Sequence, residues 1–174
     1  KYEAAADAFG RAAKLYADPK RAGDPLGAAR LGWNLSGALQ AQGEPIRALD
    51  PLADYLKLRP QAAEPYQRLA DLLRAADRPA AVVAALRALL AQDRPNRPLG
   101  AVLAAELAAY PGTRAEGDEL FRSLTTFGPK GNRDVDPRVI AVLVRSHLDT
   151  GRAGAVVADV DRSFGLLANR KPEK

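Results

Sequence analysis

The residues best equipped for chemistry are few. His147 is the only histidine and follows Ser146 directly. Neighbouring helix residues point about 100° apart, so the two cannot face each other as base and nucleophile. Asp159, Asp161, Glu116, Asp118 and Glu119 are scattered carboxylates without the spacing of a metal site. There is no cysteine, which removes thiolate ligands and thiol nucleophiles. No glycine loop of phosphate-cradling form is present. The expectation is no catalytic residue, no metal ligand and no cofactor. What remains is a set suited to gripping a partner: Arg30, Trp33, Asn34, Gln67, Arg68, Asp71 and Arg74. It combines the only tryptophan with guanidinium forks that match carboxylates.

The elements that position these residues should be helices. Ala (36) and Leu (24) far outnumber Val plus Ile (12) among the 174 residues, which favours helix over sheet. No apolar run approaches the ~20 residues needed to span a bilayer. The net charge of +5 permits an acidic partner without demanding nucleic acid. The chain opens at Lys1-Tyr2-Glu3 inside a helical pattern and contains no Met, so it reads as a fragment of a longer protein. The compartment stays open between cytoplasm and periplasm.

A 34-residue period runs through the chain. It links Leu35, Leu69 and Leu103; Leu39, Leu73 and Leu107; and Leu52, Leu86 and Leu120. Small residues follow the first series at Ser36, Ala70 and Ala104, and Ala48 is matched by Val82. Parallel series in one register mark a stacked repeat. Each unit reads as two helices and a tight turn. The expected helices are Pro25 to Gln42 with a second opening at Glu44-Pro45; Ala62 to Ala76 with Pro79 to Gln92; Pro98 to Tyr110 with Thr113 to Phe127; and Pro137 to Thr150 with Arg152 to about Asn169. Gly43 and Gly151 suit the left-handed residue that ends a helix. Pro60 blocks continuation, and Pro51 should kink the helix that contains it, at about 3 kcal/mol.

These residues resemble the tetratricopeptide repeat (TPR). Leu35-Ser36, Leu39, Gly43, Ala48, Leu52 and Pro60 fill that family's slots. Leu69-Ala70, Leu73, Val82 and Leu86 fill them again, as do Leu143-Val144, Gly151, Val156 and Val160. Residues 2–9 look like the second helix of such a repeat, with Ala5 and Phe9 in its slots. The fourth unit fits only with one residue inserted at its turn, which puts Gly117 and Phe121 in the small and large positions. Polar linkers at residues 20–24 and 128–136 also depart from the pattern. The resemblance implies an all-α, right-handed superhelical stack of helical hairpins, an α-solenoid. It would form a single array over residues 1–174: a lone second helix in 1–19, then repeats at 25–60, 62–95, 97–128 and 137–170.

Such a stack has a concave face lined by first helices. Residues 34 apart then fall on one surface: Trp33 with Gln67, Asn34 with Arg68, Gly37 with Asp71. In the fourth unit that face holds Ala101, Val102, Ala105 and Ala108, either a plain Ala-rich helix or a patch on which something packs. The family's core aromatic slot holds Gly32 in one unit and Tyr66 in the next. Trp33, one residue along, is either a groove anchor or packed on the preceding helix. Asn34 and Arg68 match part of the family's carboxylate clamp, but Glu64 reverses the charge of its expected Lys. His147 occupies the Leu39 slot and reads as a core or boundary residue. The reading is a non-catalytic scaffold that binds a protein or peptide, acidic in character. Its composition resembles that of a bacterial protein of an assembly or of envelope or secretion machinery. The alternative is a helical-repeat RNA-binding module using scattered Arg residues. The unpaired first helix should also drive self-association.

Overall fold

The computed structural model describes residues 2–16, 18, 24–93, 96–125 and 136–158. Helix is the only regular structure among them. The helices are α1 (Tyr2–Tyr16), α2 (Pro25–Ala41), α3 (Pro45–Leu56), α4 (Glu64–Ala75), α5 (Ala81–Gln92), α6 (Arg97–Ala108), α7 (Arg114–Thr125) and α8 (Pro137–Asp149). Residues 153–158 are also helical. The expected linker at 128–136, except Asp136, lies outside the described residues, as do most of the 20–24 linker and everything after residue 158. No described helix is long and apolar enough to cross a membrane.

The hairpins close in the same way three times. The carbonyls of Leu39, Leu73 and His147 each accept the backbone N–H five residues on, from Glu44, Arg78 and Arg152, at 3.0, 2.8 and 2.7 Å. Between donor and acceptor sits a left-handed residue: Gly43 (φ 77°), Asp77 (φ 58°) or Gly151 (φ 69°). This is the closure that satisfies carbonyls left without partners at a helix end. The fourth unit differs. There the Leu107 carbonyl accepts the Thr113 hydroxyl, six residues on, at 2.7 Å. A side chain replaces the backbone donor where the turn has grown by one residue. Downstream, Phe121 is buried while Leu120 is only half-buried, so the inserted residue moves the core position along by one.

The chain divides into two compact units, one of residues 1–60 and 64–85, the other of residues 61–63 and 86–174. In the first, α2 packs on α1 and α3, and α4 packs on α3. Ala48 and Leu52 of α3 and Ser36 of α2 are completely buried, and Ala38 and Leu39 of α2 are buried. Tyr66 is a core residue whose hydroxyl donates to the Pro60 carbonyl at 2.8 Å. Helix α3 runs through Pro51. A Cβ added to Gly32 would lie 2.5 Å from the Pro51 carbonyl oxygen, so the two backbones meet here in a space only glycine fits.

In the second unit α6 packs on both α7 and α8 and is buried nearly all round. Asn96 caps it, its side-chain oxygen accepting from the Leu99 N–H at 3.0 Å. Ala101, Val102 and Ala108, expected on an open face, are core residues, and Ala105 is half-buried. The patch is therefore covered surface, which explains its lack of polar side chains. Gly117 marks the α6–α7 crossing, since a Cβ there would lie 2.6 Å from both the Ala104 oxygen and the Ala108 nitrogen. Asp136 caps α8 by accepting from the Arg138 N–H at 2.9 Å, and it also pairs with the Arg138 guanidinium. The hydrogen bond from the Arg138 side chain holds the Asp136 carboxyl below its ordinary range, against an opposing effect of burial.

Two outcomes follow. Gly117→Ala should destabilise the second unit by about 1–3 kcal/mol, because only backbone can give way. Gly10→Ala, with open space around it, should be neutral or stabilising; urea denaturation distinguishes them. The depressed Asp136 pKa stabilises the folded chain above the unfolded value of about 3.9. That contribution is lost as pH falls through the lower folded value. Asp136→Asn should flatten the acid limb of a stability–pH profile.

Candidate functional site

The sequence-predicted binding residues all fall in the first unit, on α2 and α4. Helix α2 begins at the Asp24 cap, whose carboxylate accepts the Gly27 N–H at 2.8 Å. It presents Arg30 and Asn34 to solvent. Trp33 is half-buried, with its ring centroid 5.3 Å from that of Tyr55 on α3 and tilted by 36°. Arg68 reaches from α4 and lays its guanidinium 3.3 Å above the Trp33 ring centroid. Its Nη1 donates to the Trp33 backbone carbonyl at 2.9 Å. Gly37, one turn along α2, leaves room for this, since a Cβ there would sit 3.3 Å from that same nitrogen.

The arrangement joins three helices through one cation. The ring quadrupole attracts the guanidinium, and burial strengthens that attraction. Burial also lowers the Arg68 pKa, with the neighbouring Tyr55 opposing it, yet an arginine stays charged at any ordinary pH. Arg68 is therefore not a loose fork waiting for a ligand, as the sequence suggested. Part of its hydrogen-bonding capacity and one of its faces are committed to Trp33. Nor is Trp33 an open anchor: its ring partners belong to the following helices, α3 and α4. Both are built into the wall of the site.

The remaining residues differ in what is left for a partner. Asp71 and Arg74 are exposed and pair with each other at 3.1 Å. Gln67 is half-buried. Among the described residues, no carboxylate pairs with Arg30 or with Arg68. Arg30 and Arg68 thus have no ion-pair partner among the described residues, while Asp71, one turn from Arg68 on α4, is paired with Arg74.

In the second unit a cavity of about 260 Å³ is lined by Phe121, Leu143, His147, Asp118 and Arg152 among others. Its carboxylate and guanidinium pair at 3.0 Å through both carboxylate oxygens. His147 is buried, its ring 6.4 Å from that of Phe121, as a core residue would be. Sequence reading missed the Tyr55–Trp33–Arg68 stack. Its one available signal was the pair of glycines flanking Trp33 at Gly32 and Gly37.

Arg68→Ala should uncover Trp33, costing about 1–2 kcal/mol and shifting the emission of the only tryptophan to the red. Arg68→Lys keeps the charge but not the plane and should fall between Ala and wild type in both readings. Compared with protein-family models, curated proteins and solved structures, the chain matches none.

Proposed function

We propose that this chain is a non-catalytic protein-binding module of tetratricopeptide-like helical hairpins, and that the α2–α4 surface around Trp33 takes an acidic protein segment. The observation that carries this reading is the pair of cations, Arg30 and Arg68, with no carboxylate partner among the described residues. Arg68 lies over the Trp33 ring, which also stacks against Tyr55, and Arg30 sits one turn before Trp33 on α2. A preorganised wall loses little entropy on binding, whereas the exposed Arg30 and Asn34 must be ordered. A micromolar affinity, roughly −8 kcal/mol, fits that balance. The RNA reading is less well supported, because Arg68 already covers a face of the Trp33 ring on which a base would stack.

Acidic peptides titrated against the protein should perturb Trp33 emission and bind more weakly as salt rises. Arg30→Glu should weaken binding at least tenfold without altering stability, because Arg30 is exposed. Arg145→Glu, on the other unit, should leave binding unchanged. Binding that survives both Arg30→Glu and Asn34→Ala would remove this surface from consideration, and preferential binding of single-stranded RNA would favour the other class.

A further inference from the structure

Helix α1 carries a charge row that no other described residue uses. Glu3, Asp7, Arg11 and Lys14 are all exposed and have no ion-pair partner among the described residues. At about 100° per residue they fall within an arc of about 80°. The first two are acidic and the last two basic. Ala4, Ala8 and Leu15, also exposed, extend the same side to about 140°. The opposite side, with Ala6 buried, faces α2. The charge row forms one wall of an open cavity of about 710 Å³ whose lining also includes Leu35 and Leu39 of α2 and the charged Glu44, Arg47 and Asp50, so a second helix seated there meets those charges as well.

From this pattern we infer that α1 is a homodimerisation element, pairing antiparallel with α1 of a second copy. The charge row is complementary to itself in one orientation only. Antiparallel, Glu3 meets Lys14 of the second copy and Asp7 meets its Arg11. One register serves both pairs, because the residue numbers sum to 17 and 18. The same register sets Ala8 close to the two-fold axis and Leu15 against Ala4 of the other helix, whose small side chains allow close approach. Parallel pairing would put Glu3 on Glu3 and Lys14 on Lys14. The two-fold arrangement doubles each contact, as an isologous interface requires.

The dimer is a weak one. A 15-residue helix is about 22 Å long, and a single helix pair of that length buries less than the ~1,200 Å² typical of stable complexes. Much of its specificity comes from exposed ion pairs, so it is salt-sensitive. It uses none of Arg30, Trp33, Asn34, Gln67, Arg68, Asp71 or Arg74, so its failure is distinguishable from failure of the binding surface there.

Sedimentation of the whole 174-residue chain tests this. Wild type should associate in about 10 mM salt and dissociate at least tenfold more readily in about 0.5 M salt. The double variants Glu3→Lys/Asp7→Lys and Arg11→Glu/Lys14→Glu should each be monomeric while keeping wild-type helicity. Mixed together they should form a heterodimer, because one carries only positive and the other only negative charge on the row. As a readout with native charges, Ala8→Cys should form a disulfide-linked dimer faster than Ala109→Cys in this cysteine-free chain. A wild type that stays monomeric, a dimer that survives both charge reversals, a mixture that does not associate, or equal crosslinking rates would each overturn the proposal.

Discussion

Three carbonyls, those of Leu39, Leu73 and His147, determine where this chain reverses. Each belongs to a residue whose side chain is buried, so one residue both fills the core and terminates its helix. The coupling is strict because the acceptor is backbone and the donor lies five residues on. A turn of that length requires one left-handed residue, supplied twice by glycine and once by Asp77. The buried side chain thereby fixes the register of the next helix. Ala48 and Leu52 fall inside after the first turn, and Val82 and Leu86 inside after the second. Thr113 shows the constraint from the other side. When the turn lengthens, its hydroxyl takes over the carbonyl of Leu107, and the buried position moves on to Phe121.

A second constraint shapes the candidate site. Pro51 brings the α3 backbone against α2 at Gly32, leaving no room for a side chain there. The core position that holds Tyr66 in the next hairpin is thus empty in this one. Trp33 carries the aromatic mass one residue further round α2, which turns it toward the side where Tyr55 and Arg68 can cover it. A helix-interior proline lacks the N–H that would bond to the carbonyl of Arg47, a cost close packing helps to offset. The close approach at Gly32 and the Trp33–Tyr55 contact thus both lie between α2 and α3.

How far the sequence disclosed this follows from the range of each interaction. Hairpin positions, the left-handed Gly43 and Gly151, the one-residue insertion before Gly117 and the buried His147 were legible, because they depend on periodicity and local backbone chemistry. The α2–α4 residues lie in one compact unit because 34-residue spacing puts equivalent positions on successive hairpins. Their states were not legible. That Arg68 is engaged by Trp33, and that Ala101, Val102 and Ala108 are buried, depends on which side chains arrive from other helices. Helix wheels assign a direction to a residue but not the neighbour that meets it.

The engagement of Arg68 changes the physics expected of the surface. An exposed arginine is well solvated and gains little from a carboxylate. A half-buried one, fixed over a ring and partly desolvated, has already lost part of its hydration during folding. A carboxylate reaching its remaining N–H groups would replace less water and meet a donor with little rotamer freedom left to lose. The same residue that stabilises the three-helix junction would then supply the most preorganised cation on the surface. Arg30, exposed to solvent, would contribute through longer-range attraction, as rim charges do. On the proposed reading, fold and recognition would meet in one side chain, and the exposed Arg30 is where binding would be altered while the fold is left intact.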